Sequence, residues 1–88
     1  MGLDGYEFIL WVEKKFNIDI PNRDTETIFT VDDLAKYLAS RLLESEGLNA
    51  PTSRKIFPIL QAEISKQFNI PLETIKPESS FVKDLKID

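Results

Sequence analysis

The chain contains no cysteine and no histidine. The first absence removes disulfides, thiolate metal sites and thiol nucleophiles. The second removes the side chain that most often serves as a general base near neutral pH. Zinc sites built on these residues and Ser-His-Asp chemistry are therefore excluded. Positive charge is also in short supply, with 11 Lys and Arg against 15 Asp and Glu, a net charge of −4. Nucleic-acid phosphates are met by clustered cations, so a nucleic-acid partner is disfavoured and a basic protein surface is the complementary one. No apolar run approaches the roughly 18 residues of a spanning helix, and the N-terminus lacks the apolar stretch of a signal peptide. The reading is a cytoplasmic protein. Its 88 residues suit one small domain with a modest core, sensitive to single core changes. Gly2 after Met1 is also what a cloning site leaves behind.

What the chain does contain is helical periodicity. In "LDGYEFILWVEKKF", Ile9, Val12 and Phe16 recur at helical spacing, with Leu3, Tyr6 and Leu10 adjoining and Glu13, Lys14 and Lys15 on a polar side. The helix gives way at "NIDIPNRD", where Pro21 blocks continuation, and a short helical turn is expected around Asp24 to Ile28. Thr30 is a good cap, with Asp33 three residues on, and Val31, Leu34, Leu38 and Leu42 then share one face. A helix from Val31 to Leu43 follows. "ESEGLNAPTS" is polar and without period, and is read as a surface linker over 44–53. A further helix lies in "RKIFPILQAEISKQF", where Phe57, Leu60, Ile64 and Phe68 repeat. Proline fits a helix best in its first turn, so Pro58 predicts a cap at Lys55 or Ile56. From Asn69 on, the chain is expected to be a loop that drops Ile70, Leu72, Ile75 and Phe81 onto the core. Both "KKFNIDIP" and "KQFNIPLE" carry Phe-Asn-Ile and are read as similar helix exits.

Joined end to start, "PESSFVKDLKID" and "LDGYEFILWVEKKFNIDIP" resemble the acyl carrier protein family. In that family a loop ending Asp-Leu-Gly-x-Asp-Ser-Leu leads into an acidic helix, then Phe-x-Ile-x-Ile-Pro, then a Thr-Val-x-Asp helix. "SFVKDLKID" matches the loop up to Asp88, "LDGYEF" the residues after the serine, "FNIDIP" the exit and "TVDDLAKYL" the last helix. The helix from Phe57 to Phe68 looks like the family's first. The resemblance covers nearly the whole chain apart from the linker, with the halves in the opposite order. It implies an all-α fold, a small four-helix bundle with a long loop, circularly permuted and engineered. The family's later helices fill 3–43, a joining linker 44–53, and its first helix and loop 54–88.

The same resemblance assigns roles. The family's serine carries 4′-phosphopantetheine at a helix N-terminus, where free N–H groups and the helix dipole favour the phosphodiester. Gly2 stands at that place, so this form is expected to carry no prosthetic group, with no metal of its own. Leu3 and Asp88 flank the attachment position, and the acid matched by Asp88 helps the family position magnesium and coenzyme A during loading. Asp4, Glu7 and Asp84 are implied for partner recognition, by a phosphopantetheinyl transferase and by acyl-processing enzymes with basic patches. Ile9, Val12, Leu34, Leu38, Leu60 and Ile64 form a core that in the family can open to shelter an acyl chain. Phe8 and Trp11 either form an exposed aromatic patch or widen the buried face. Ser79 and Ser80 are expected to do turn and capping work.

The implied function is non-enzymatic carriage of acyl thioesters for fatty-acid or polyketide synthesis, disabled at Gly2, in a monomer. Two alternatives stand beside it. One is a helical interaction module that is carrier-like by convergence. The other is a fragment spanning two tandem carriers, which would assemble by domain swapping.

Overall fold

The computed structural model describes residues 3–87, with side chains from Gly5 onward. Four α-helices form: α1 (Leu3–Phe16), the short α2 (Asn22–Thr25), α3 (Val31–Glu46) and α4 (Ser53–Phe68). Short 3-10 turns occupy Gly47–Asn49 and Leu72–Thr74, and among the described residues sheet-like pairing is confined to one bridge between Thr30 and Ser80. The architecture is all-α.

α3 and α4 pack against each other as the centre of the fold. Their seam is made by Val31, Leu34, Ala35, Leu38 and Leu42 on one side and Ile56, Leu60 and Ile64 on the other, all buried. Each stripe follows the i, i+4 spacing that keeps a helix's apolar residues on one face. α1 adds Phe8, Ile9 and Val12. The connecting segments complete the core with Ile20, Ile28, Ile75, Phe81, Leu85 and Ile87, so the loops are structural walls rather than tethers.

Phe8 decides the aromatic alternative. It is fully buried, and its ring meets Phe68 edge-on at 6.2 Å and Phe81 at 6.1 Å, with half-buried Trp11 stacked at 6.1 Å. The two aromatics widen the buried face, and the cluster joins α1, α4 and the last loop at one point.

The helix ends obey local chemistry. Asn17 and Asn69 both take left-handed backbone with φ of 55°, and the following Ile18 and Ile70 amides donate back to Glu13 O and Ser65 O, at 3.1 and 3.3 Å. This is the 6→1 bond of a Schellman exit, for which Asn is the usual substitute for Gly. The two Phe-Asn-Ile stretches are thus the same device. After the first, the Ile20 amide donates to Glu13 Oε2 at 2.7 Å, holding the chain against α1.

Three expected boundaries move. α4 starts at Ser53 with Thr52 as cap, not at Lys55 or Ile56, and Pro58 lies inside the helix. Pro58 is exposed, as is Arg54, whose carbonyl loses its proline partner; water can serve that carbonyl, while the earlier start buries Ile56. α3 runs three residues past Leu43, because Glu44–Glu46 needs no apolar period to extend a solvated last turn, and it stops at Gly47 with φ of 69°. The irregular part of the expected linker is correspondingly shorter. α2 begins directly behind Pro21, earlier than expected, with Pro21 as an extended N-cap at φ −61° and ψ 147°.

Replacing Phe81 by Ala should cost about 3–5 kcal/mol, because the cavity would open beneath the ring of Phe8. Urea unfolding followed by circular dichroism would measure it, and Val82→Ala, at an exposed neighbour, should change stability by less than about 0.5 kcal/mol.

Candidate functional site

Any helix start leaves four backbone N–H groups without intrahelical partners. At α3 all four are accounted for. The Val31 amide donates to Ser79 O at 3.1 Å and that of Asp32 to Pro77 O at 2.8 Å. The Asp33 amide donates to Thr30 Oγ1 at 3.0 Å, and that of the cap residue Thr30 to Asp33 Oδ2 at 3.1 Å. Asp33 completes a capping box by accepting from the amides of Thr30 and Phe29, each at 3.1 Å. Two of the four acceptors belong to the loop that follows α4, so the end of the chain is bolted to the start of α3. Burial works to raise the Asp33 carboxyl's pKa, but the hydrogen bonds from Phe29 and Thr30, helped by the positive charge of nearby Lys36, outweigh it and leave the group below the usual range.

The loop then folds on itself. The Phe81 amide donates to Phe29 O at 2.9 Å, and that of Ile87 to Phe81 O at 2.7 Å. Ser80 N donates to Asp84 Oδ2 at 2.7 Å, while Ser80 Oγ accepts from Lys83 N at 3.1 Å. Ser79 is buried, and its hydroxyl oxygen accepts from Lys76 N at 2.9 Å. Both serines do turn work. Lys86, between Leu85 and Ile87, sits at φ of 58°, left-handed backbone that disfavours a side chain.

The sequence-derived positions distribute as follows. Gly2 and Asp88 lie outside the described residues, and Leu3 and Asp4 are placed by backbone alone in the first turn of α1. Glu7 is exposed one turn later, and Asp84 is exposed with one carboxylate oxygen committed to Ser80. Ile9, Val12, Leu34, Leu38, Leu60 and Ile64 are all buried. Ile9 differs from the other five in also flooring a groove of about 330 Å³ between α1 and α2, whose walls include Tyr6, Asn22, Thr25 and Glu26. A neighbouring cleft of about 230 Å³ shares Thr25 and Glu26 and runs past Ile28 and Phe29 to Val82 and Lys83. Tyr6, Phe29 and Val82 expose large apolar area around these two hollows. Sequence reasoning missed Phe29, Val82 and Glu26, which lie in segments without period; an aromatic in the short polar stretch "TETIFT" was the available signal.

The outer wall is held by polar contacts. Tyr37 Oη donates to Asp24 Oδ2 at 2.6 Å and accepts from Arg41 Nη1 at 2.6 Å, tying α2 to α3. Burial, then the bond to Asp24, pushes the Tyr37 phenol up. Among the described residues no three metal-ligating side chains converge. The groove between α1 and α2 thus sets Tyr6, Asn22, Thr25 and one acid, Glu26, around the buried Ile9.

The fold and site thus define a small all-α bundle with an open groove beside its first two helices. Among curated proteins, the chain is similar to acyl carrier proteins. It is 44% identical over 37 residues to one from Wolinella succinogenes, covering 42% of this chain and 49% of that protein. It is 44% identical over 42 residues to one from Helicobacter pylori, covering 48% and 54%. The chain spans about half the length of the curated relatives it matches. No family model and no solved structure matches.

The positive φ of Lys86 is backbone that glycine adopts freely and a side chain disfavours. Lys86→Gly should raise stability by about 0.5–1 kcal/mol, relief of the left-handed side chain exceeding the added chain entropy. Thermal unfolding would detect it, and Lys86→Val should lower stability. For Asp33, a depressed carboxyl contributes stability that is complete above the ordinary range near about pH 4 and is lost as pH falls through its folded value. Acid titration of unfolding should therefore be steeper for the parent than for Asp33→Asn.

Proposed function

We propose that the chain is an acyl-carrier scaffold in circularly permuted order, with the family's later helices in 3–43, a joint in 44–53, and its first helix and loop in 54–88. The observation that carries this reading is motif order: "SFVKDLKID" follows α4, while "LDGYEF" opens α1 and "TVDDLAKYL" enters α3. Two further observations support it. A collinear match reaches only about half of each relative, as it must when two halves have exchanged order. The loop after α4 supplies the acceptors that α3 lacks, so the halves complement each other within one chain.

In this reading the face around Glu7, Glu26 and the α1–α2 groove meets basic surfaces on a phosphopantetheinyl transferase and on acyl-processing enzymes of fatty-acid or polyketide synthesis. By the family resemblance Asp4 belongs to the same recognition set, and steering by opposite charge would dominate the encounter. The groove leads to Ile9 and through it to the core, the route by which an apolar chain would be sheltered. Such carriage is non-catalytic and belongs in the cytoplasm. No helix among the described residues is long and apolar enough to cross a membrane.

The residues present do not fit the 4′-phosphopantetheine group. Attachment needs a hydroxyl at the start of α1, and "LDGYEFILWVEKKF" contains neither serine nor threonine. Ser79 and Ser80 are engaged in their turns, and Gly2 has no oxygen to offer. The protein is therefore a carrier scaffold without its cargo arm.

Intact mass after incubation with coenzyme A, magnesium and a broad-specificity transferase tests this. The parent should stay unchanged and Gly2→Ser should gain one arm. Loading of the parent would mean another serine is the site. Failure of both, together with no binding to basic carrier-dependent enzymes, would favour a helical interaction module of another kind.

A further inference from the structure

Residues 21–27, which contain α2, form a strap between two fixed points. Ile20 and Ile28 are buried on either side of it, and the Ile20 amide is tied to Glu13 Oε2. None of the seven residues between them is buried. Their hydrogen bonds stay largely within the strap: the amides of Asp24 and Glu26 donate to Pro21 O and Arg23 O, Thr25 Oγ1 to Asn22 O, and Thr27 Oγ1 to Asp24 O. The four residues of α2 are far fewer than the roughly 12 that a helix needs to persist alone in water, so contacts outside it must hold it.

Among the described residues, the hydrogen bond and ion pair that leave the strap for another element both belong to Asp24. Its carboxylate accepts from Tyr37 Oη at 2.6 Å, and Arg41 Nη1 stands 4.0 Å from it. The α3 side of this contact does not depend on α2, because Arg41 is one turn from Tyr37, donates to its hydroxyl at 2.6 Å and lies over its ring at 5.6 Å. The strap is also a partition. Thr25 and Glu26 line both the groove floored by Ile9 and the cleft that runs past Ile28 to Val82. With the strap drawn aside, the remaining walls are mostly apolar: Tyr6 and Ile9 from one hollow, and Ile28, Phe29, Phe81 and Val82 from the other.

We propose that Tyr37 is the latch of this strap. When its bond to Asp24 breaks, residues 21–27 come away as one unit between Ile20 and Ile28, and the two hollows join into one trough that takes a single extended apolar chain. The latched form predominates, so apparent affinity for such a chain is reduced to the fraction of molecules whose strap is released. Tyr37 is thus a positioning residue, controlling access without touching the occupant. The apolar occupant rests on the carrier reading above, whereas the latch does not.

Native-state hydrogen exchange in low, stepped urea tests the latch. In the parent, the amides of Asp24, Glu26 and Ile28 should exchange faster than those of Leu60 and Ile64 in α4, at rates nearly independent of urea, as a local opening requires. Tyr37→Phe keeps the ring and removes one oxygen; it should speed the three strap amides by a common factor of at least about ten, the worth of a hydrogen bond to a charged group. Asp24→Asn still accepts from Tyr37 Oη without the charge and should speed them less. Titration with the neutral fluorophore N-phenyl-1-naphthylamine should show about tenfold tighter apparent binding to Tyr37→Phe than to the parent. Strap amides that exchange only together with α4 overturn the independent strap, and strap rates unmoved by Tyr37→Phe overturn the latch. Faster strap exchange with unchanged fluorophore binding overturns the trough and its occupant. Neither readout uses a prosthetic arm or a partner enzyme, so a result against the latch leaves the carrier reading standing, and a failure of Gly2→Ser to load leaves the latch.

Discussion

The amide groups at the start of α3 are the constraint on which the rest of the structure depends. A buried helix start must find acceptors for its free N–H groups, and here two of them are met by Pro77 O and Ser79 O. That requirement sets the path of the loop after α4 to within a residue. Once Ser79 is pinned, Ser80 pairs with Thr30 and the Phe81 amide reaches Phe29 O, so the Phe81 ring must enter the core. Phe81 then meets Phe8, and α1 acquires its place through an aromatic contact at 6.1 Å. A polar demand at one helix end thereby organises an apolar cluster on the far side of the loop.

This arrangement separates two faces with different chemistry. Around α1 and α2, Tyr6, Asn22, Thr25 and Glu26 wall a groove floored by Ile9, and α2 is held in place by the Tyr37–Asp24–Arg41 bonds rather than by buried residues of its own. Around the turn joining α3 to α4, an apolar-walled groove includes the exposed Leu43, and the turn itself carries the fully exposed Leu48. The displaced Asp33 and Tyr37 are explained by a cap and by a helix-to-helix bond.

Much of the fold was legible because its signals are local. The Thr30–Asp33 cap, the i, i+4 stripes of α1 and α3, and the two Phe-Asn-Ile exits each depend on residues within a few positions of one another. Legibility failed where water substitutes for a local rule. Pro58 is accommodated inside α4 because the exposed Arg54 carbonyl needs no amide partner, and Glu44–Glu46 stays helical without an apolar residue to signal it. The cleft residues Glu26, Phe29 and Val82 were missed for a related reason. They come from separate segments and become one surface only when the loop crosses α2's end.

The sequence by itself determined the all-α class, the main helices and their caps, the buried identity of Ile9, Val12, Leu34, Leu38, Leu60 and Ile64, and the absence of Cys and His chemistry, because side-chain type and short-range hydrogen bonding suffice for these. Tertiary structure alone decided that Phe8 is buried, that Ile9 floors a groove, that Ser79 and Pro77 serve α3, and that Leu48 stands clear beside a hollow. Those outcomes depend on residues dozens of positions apart meeting in space, and no periodicity along the chain encodes such a meeting.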